Sequence, residues 1–301
     1  MSPHLIQRVT ILGTGLIGGS FALALRKYTT DIRIAGWDRA EALREARSRQ
    51  IIDDAHHGDL APALRGADLI YVALPIGATL DLLPEIARLA PGHALVTDAC
   101  STKFRIAQAA AENFSDGPLF LGGHPMAGKE VSGAANAEAD LFRGNAYALI
   151  TDTEKNPPSA AEPESPDALR DPRISAFVKI LEKIGARPFW LGAEQHDNAV
   201  ALASHLPQLA AVALGSFLYD RLDENGLPIT LAGPGLRDSL RLAGSSYSTW
   251  RDIVLTNREM IAEALDQFAR RLDDLRDRLG SRELEADFDS ANELYKLLRG
   301  L

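Results

Sequence analysis

The pattern Gly13-x-Gly15-x-x-Gly18 constrains this chain more than any other feature, because of what stands on either side of it. The apolar run Val9-Thr10-Ile11-Leu12 leads into it, a segment of helical spacing from Leu16 to Lys27 follows, and Asp38 lies twenty residues beyond Gly18. Glycine-rich loops are common, but this context is that of a loop that cradles the phosphates of a dinucleotide. Gly13 permits the tight turn, Gly15 lets backbone approach a pyrophosphate, and Gly18 lets the helix pack closely on its strand. The helix start, with Thr14, Leu16 and Ile17, offers amide donors and the positive end of a helix dipole. Asp38 closes a second strand-like run, Ile32–Trp37. A carboxylate there accepts hydrogen bonds from ribose hydroxyls and repels a 2'-phosphate, so NAD is expected over NADP. Arg39, placed to stack on adenine or soften that choice, and Leu74-Pro75, at the end of a later strand, complete the expected cofactor set.

The rest of the first half repeats the alternation. Ala40–Arg49 reads as a helix, and Leu69–Leu74 and Ala94–Thr97 as strands apolar on both faces, the second ending at Asp98. β-α-β alternation of this kind predicts a parallel, Rossmann-like, doubly wound sheet. From Asp152 to Pro172 five prolines interleave with Ser, Ala and Glu without periodicity, which reads as a flexible surface insertion. Ile174–Ile184 then looks helical and Arg187–Leu191 strand-like, so the first domain is expected to span 1–192.

From Ala193 to the last residue, 301, every signal is helical, giving a second, all-α domain. Ile261, Leu265, Phe268, Leu272, Leu275 and Leu279 recur at spacings of four and three, and Leu284, Phe288, Ala291, Tyr295 and Leu298 continue after Gly280-Ser281. Two such helices suit an antiparallel hairpin whose apolar face needs a partner, within the chain or in a second copy. A homodimer through these helices is the expected assembly.

Bulk properties exclude several classes. A net charge of −9 argues against a nucleic-acid partner. Met1-Ser2-Pro3-His4 lacks the basic and apolar regions of a secretory leader, and the single cysteine, Cys100, fits a reducing cytoplasm, the expected location. Ala199–Leu218 is apolar enough to suggest a membrane span, yet carries Ser204, His205, Pro207 and Gln208 in its middle, so a helix buried in a bundle is expected and no membrane partner. No metal is expected, because the Cys, His and Asp residues show no ligand spacing.

Of the seven histidines, His124 stands apart. It follows the strand-like run Pro118–Leu121, lies between the glycine turns Gly122-Gly123 and Gly128, and precedes Pro125, which restricts its backbone. An imidazole so placed suits proton abstraction near neutral pH.

Several segments, in order, resemble the prephenate/arogenate (cyclohexadienyl) dehydrogenase family: Gly13–Ser20, Thr97–Lys103, Gly122–Gly128, Gln195-His196-Asp197, Ser204–Pro207, Arg237–Arg241 and Trp250–Ile253. The likeness runs from about residue 8 to 275, and the proline-rich insertion, which departs from the compact family pattern, touches none of these motifs. The resemblance implies an NAD-dependent oxidative decarboxylation of prephenate to 4-hydroxyphenylpyruvate, a step of tyrosine biosynthesis. It implies that His124 takes the ring-hydroxyl proton, with Ser101 beside that hydroxyl, a residue that also suits the N-cap of a helix starting near Lys103. Arg241 is implied as the main carboxylate ligand and Arg237 as the runner-up, four residues apart on one helix face. His205 and Trp250 are implied as substrate contacts. Neutral Gln208 leans the substrate toward prephenate; arogenate, or both, is the alternative. A β-hydroxyacid type of dehydrogenase, a non-catalytic NAD-binding regulator and a structural dimerisation module are the rival readings.

Overall fold

The computed structural model describes residues 6–115, 117–129, 131–151, 167–222 and 226–299. The glycine-rich start forms β1 (Arg8–Leu12) and α1 (Leu16–Tyr28), followed by β2 (Arg33–Trp37), α2 (Ala40–Ser48) and β3 (Asp54–His56). The single turn α3 (Ala61–Leu64), β4 (Leu69–Val72), α4 (Ile76–Leu89), β5 (Leu95–Asp98), α5 (Phe104–Asn113) and β6 (Leu119–Pro125) come next. β7 (Ala146–Ile150), α6 (Pro172–Lys183) and β8 (Arg187–Leu191) complete the sheet. Its order is β3-β2-β1-β4-β5-β6-β7-β8.

Strands β1 to β6 are parallel, with helices on both faces, and β1, β4 and β5 carry their apolar runs because both faces are covered. The strand order reverses between β1 and β4, which opens a crevice at their carboxyl ends, the usual place for a ligand in such sheets. Gly13 sits in that crevice at φ +92°, where a Cβ would lie 2.4 Å from the Ala73 carbonyl oxygen. A Cβ on Gly18 would lie 2.0 Å from the carbonyl oxygen of Gly13. Both glycines are therefore demanded by geometry.

The sheet is not parallel throughout: β7 runs antiparallel to β6, because the chain returns through a non-crossover connection holding one 3-10 turn, and β8 is parallel to β7 after the α6 crossover. The insertion does not extend to residue 172. Residues 152–166 lie outside the described residues, but Asp167–Arg170 form a 3-10 turn, the Asp171 carboxylate accepts the Arg173 amide at 2.8 Å, and Pro172 opens α6. Asp171 and Pro172 are an N-cap and a first-turn proline.

The helical half comprises α7 (Ala193–Val200), α8 (Leu206–Tyr219), α9 (Leu227–Thr230), α10 (Pro234–Leu240), α11 (Tyr247–Thr256), α12 (Arg258–Asp277) and α13 (Leu284–Arg299). A π turn, Ala201–His205, joins α7 to α8 as one 27-residue helix, long and apolar enough by length and composition to cross a membrane. It is not buried in a bundle as expected: only 28% of its apolar window is buried, and Leu202, Val212, Phe217 and Tyr219 are exposed. The stripe on α12 and α13 behaves likewise. Ile261 and Ala264 are buried, while Phe268, Leu272, Phe288 and Leu298 remain exposed, so its face has no full partner within the described chain.

The helical half docks on the carboxyl edge of the sheet through carboxylates placed at helix N-termini. Asp197 accepts the amides of Lys103 at 2.7 Å and Phe104 at 2.9 Å, at the start of α5. Asp252 accepts the Gly77 amide at 3.0 Å, at the start of α4. Each satisfies otherwise unpaired first-turn donors and meets the positive end of a helix dipole. Ser101 is accordingly not the cap of α5, since a more distant carboxylate takes that place. Ile253 and Trp250 pack beside Asp252 against Ile76, Leu80, Leu83, Cys100 and Ile106.

Asp252→Ala is expected to cost roughly 1 kcal/mol in urea unfolding, the usual scale for a lost cap. The Gly77 amide holds the Asp252 carboxyl below its ordinary value. The stabilisation is therefore full above the ordinary aspartate pKa of about 4 and is lost as pH falls through the lowered value. An unchanged unfolding midpoint at pH 7 contradicts this docking role.

Candidate active site

The site is built where β5 and β6 end beside α7. Asp98 closes β5 and is 0% exposed; Lys103, just before α5, is 1% exposed. Their side chains are paired, and Asp98 also accepts the amides of Cys100 at 2.9 Å and Gly123 at 3.1 Å. Lys103 Nζ donates to the Gly123 carbonyl at 2.7 Å. A Cβ on Gly123 would lie 2.7 Å from the Asp98 carbonyl oxygen and 3.0 Å from Thr97 Oγ1. Gly122 and Gly123 are thus strand residues of β6, not turn residues as the sequence suggested, and glycine is needed for close approach.

His124 is the next residue of β6, paired in register with Ala148 of β7 and partly buried. Its Nδ1 is 2.9 Å from His196 Nε2, with the rings edge to face at 5.1 Å. His196 Nδ1 in turn lies 2.8 Å from Asp197 Oδ1. His196 and Asp197 are each 2% exposed.

The donors and acceptors in this chain fix one arrangement. Asp197, already accepting two amides, accepts the Nδ1–H of His196, which leaves His196 Nε2 as a lone pair. His124 must then donate from Nδ1, so its Nε2 carries the lone pair at the far side of the ring. Burial pushes His124 well below its ordinary value, helped by the neighbouring His196 and the Lys103 ammonium. Burial also lowers His196, with Asp197 opposing it. A neutral imidazole with an outward lone pair is what a general base requires.

His205, 1% exposed, ends the π turn. Its Nδ1 is 3.3 Å from Asn257 Nδ2, whose amide also donates to the Asp197 carbonyl at 2.8 Å. Its ring meets Trp250 edge to face at 5.8 Å, and burial pushes it down to about 4. Ser101 lies in the loop from β5 to α5, partly exposed, at the carboxyl end of the strand adjoining His124's. No bond from its hydroxyl to His124 is formed among the described residues.

The two arginines stand apart from this bonded network. Arg237 is on α10 and Arg241 follows its last residue, beginning the 3-10 turn Arg241–Gly244; both are exposed. The expected single α-helical face is therefore broken at Leu240, where the chain tightens. Gln208 Nε2 donates to the Leu242 carbonyl at 2.8 Å, so Gln208 is an anchor of the turn that bears Arg241.

At the cofactor loop, Gly15 precedes α1 in extended conformation with open space where a Cβ would stand. Asp38 Oδ2 accepts the Thr14 amide at 2.7 Å and Thr14 Oγ1 at 3.2 Å, while Oδ1 accepts the Arg39 amide at 2.7 Å. Leu16 and Ile17 begin α1, Leu74 lies against Gly13, and Pro75 precedes α4. No group of three metal-ligating side chains gathers among the described residues.

Sequence reasoning missed the roles of His196, Asp197, Asp98 and Lys103. The adjacent His196-Asp197 pair was the available signal, but its partner stands 72 residues away, a distance only the fold closes.

The family model for the prephenate dehydrogenase nucleotide-binding domain matches residues 21–163, and that for the prephenate dehydrogenase dimerization domain matches residues 192–299. A prephenate dehydrogenase of Lactococcus lactis is 34% identical over 93% of this chain and 73% of its own length. A cyclohexadienyl dehydrogenase of Zymomonas mobilis is 28% identical over 92% of this chain and 90% of its own. The crystal structure of prephenate dehydrogenase from A. aeolicus in complex with hydroxyphenyl propionate and NAD+ superimposes with a TM-score of 0.83 at 26% identity, covering 98% of this chain and 97% of that one. That of Synechocystis arogenate dehydrogenase gives 0.72 at 28% identity, covering 97% and 98%. With both halves of the chain matched in order and a relative above 30% identity, this protein belongs to the prephenate dehydrogenase family of oxidoreductases.

Proposed function

We propose that this chain oxidatively decarboxylates prephenate to 4-hydroxyphenylpyruvate with NAD+, and that His124 is the base. The observation that carries the reading is the chain Asp197–His196–His124, which leaves a neutral imidazole with Nε2 unspent at the carboxyl edge of the sheet. NAD supplies the hydride acceptor when bound. The cradle fits it: Gly15 leaves open space above the loop, Gly13 and Gly18 let β1 and α1 close beneath it, and the Asp38 carboxylate is tied to the loop through the Thr14 amide. Arg39, Leu74 and Pro75 border the same loop, and NADP is the less favoured cofactor.

The division of labour follows from the residues. His124 Nε2 takes the ring-hydroxyl proton as the carbinol carbon gives up its hydride. The carbon–carbon bond to the ring carboxylate then breaks, CO2 leaves, its electron pair aromatises the ring, and the phenolate oxygen takes a proton back, which restores neutral His124. Proton removal and positioning are what the protein contributes. Ser101, in the loop that follows the neighbouring strand, meets the same hydroxyl. Arg241 holds a substrate carboxylate, with Arg237 as the second cation, since guanidinium suits bidentate recognition. His205 and Trp250, in mutual contact, line the helical side. Residues 1–192 form the dinucleotide-binding domain and 193–301 the helical domain. The apolar faces of α12 and α13, exposed in one chain, are covered in a homodimer, in keeping with the dimerization model matched there. The expected setting is the cytoplasm, with no nucleic-acid or membrane partner.

Following NADH formation with prephenate and with arogenate tests the reading directly. A higher kcat/KM for prephenate is expected; a higher value for arogenate reassigns the substrate, and no turnover with either ends the proposal. His124→Asn should lose about two to four powers of ten in kcat while remaining folded. Because the His124 pKa is lowered, its base form is already complete at neutral pH. The acid limb of wild-type kcat/KM should therefore lie below the ordinary histidine value of about 6.5. A limb at or above that value contradicts a neutral, buried base. Arg241→Ala should raise the KM for prephenate far more than it lowers kcat, as loss of a ground-state anchor does. An unchanged KM transfers the role to Arg237.

A further inference from the structure

The parallel ladder between β5 and β6 ends at the pair Thr97–Leu121, two residues short of Gly123. Beyond that point the β5 side of Gly123 is held by side chains: its amide by Asp98 at 3.1 Å, its carbonyl by Lys103 Nζ at 2.7 Å. The buried pair thus extends the sheet past its backbone hydrogen bonds and stops one residue before His124. Lys103 is also joined at its other end. Its amide donates to Asp197 Oδ1, the oxygen that faces His196 Nδ1. One residue therefore spans both supports of the His124–His196 contact. Burying an ammonium and a carboxylate rarely stabilises a fold more than apolar packing would, so stability alone is a poor account of the pair.

We propose that Lys103, backed by Asp98, is a positioning residue for His124, fixing the strand end that bears the imidazole and its distance from His196. The inference rests on the proposed role of His124 only for its consequence in catalysis. The charged and titratable groups around His124 are Lys103 and Asp98 behind the strand, His196 with Asp197 on α7, and His205 at the π turn. Among them the Lys103 ammonium disfavours a proton on His124, in the same sense as burial does.

The test uses full-length protein carrying Lys103→Met, and Asp98→Asn with Lys103→Met, which leaves no buried charge unpaired. The His124 imidazole is titrated by NMR, its resonances identified by their loss in His124→Asn. The double variant should raise the His124 midpoint by about one pH unit, tenfold in proton affinity. Its kcat should fall about tenfold or more, with the KM for NAD+ changed less than about twofold. A folded double variant with an unmoved midpoint and near-wild-type kcat overturns the proposal. Should neither variant fold, the wild-type protein decides: the 15N signal of Lys103 Nζ must move as His124 titrates, and a signal indifferent to that titration overturns it. The titration does not require His124 to be the base. A shifted midpoint with full activity in His124→Asn would sink the catalytic reading while leaving the coupling intact.

Discussion

Asp197 is the carboxylate on which the two halves of this protein meet. Its oxygens take the amides of Lys103 and Phe104 at the start of α5 and the imidazole of His196 beside it. The first two bonds seat the helical half on the sheet; the third decides which nitrogen of His196, and through it of His124, bears a proton. The tautomer, and the part of the docking made at α5, are consequences of one side chain. A site assembled at the seam thus has its histidine chain set by the same bonds that close the seam.

The sheet side is arranged with comparable economy. The order reversal between β1 and β4 places the glycine loop in a crevice, and two strands further on Gly123 lets β6 approach β5 closely enough for Asp98 and Lys103 to grip it. His124 therefore emerges from a stretch of backbone held on one side by a buried ion pair and on the other by β7. On the helical side, buried His205 packs against Trp250, and Gln208 ties the turn that bears Arg241 to α8. Neutral imidazoles, one with its lone pair turned outward, and exposed arginines are the features on which the proposed proton removal rests.

What was legible in the sequence was local. The loop Gly13–Gly18 announces itself through periodicity and glycine spacing, because the strand, turn and helix that use it are contiguous. The reversal at β7 was not legible, since a strand's direction depends on how a 20-residue connection packs rather than on the strand's own residues. The cap of α5 was misplaced on Ser101 for a similar reason: a nearby hydroxyl fits the local rule, but Asp197, 93 residues from Phe104, wins in the fold. His124 stood out by its glycines, yet those glycines serve strand contact. His196 was marked by its neighbour Asp197 and the motif they share, yet its role depends on a contact across 72 residues. The stripe on α12 and α13 was visible at once, while its exposure in one chain could be learned only from the packing.

The central claim is that Asp197, through His196, places the proton of a neutral, largely desolvated His124 on Nδ1. Long-range 1H–15N correlation of the histidine rings at neutral pH reads this directly. The predicted result is a His124 spectrum of the Nδ1–H form, with a bare Nε2, and the same form for His196. A protonated His124, or one carrying its proton on Nε2, contradicts the account.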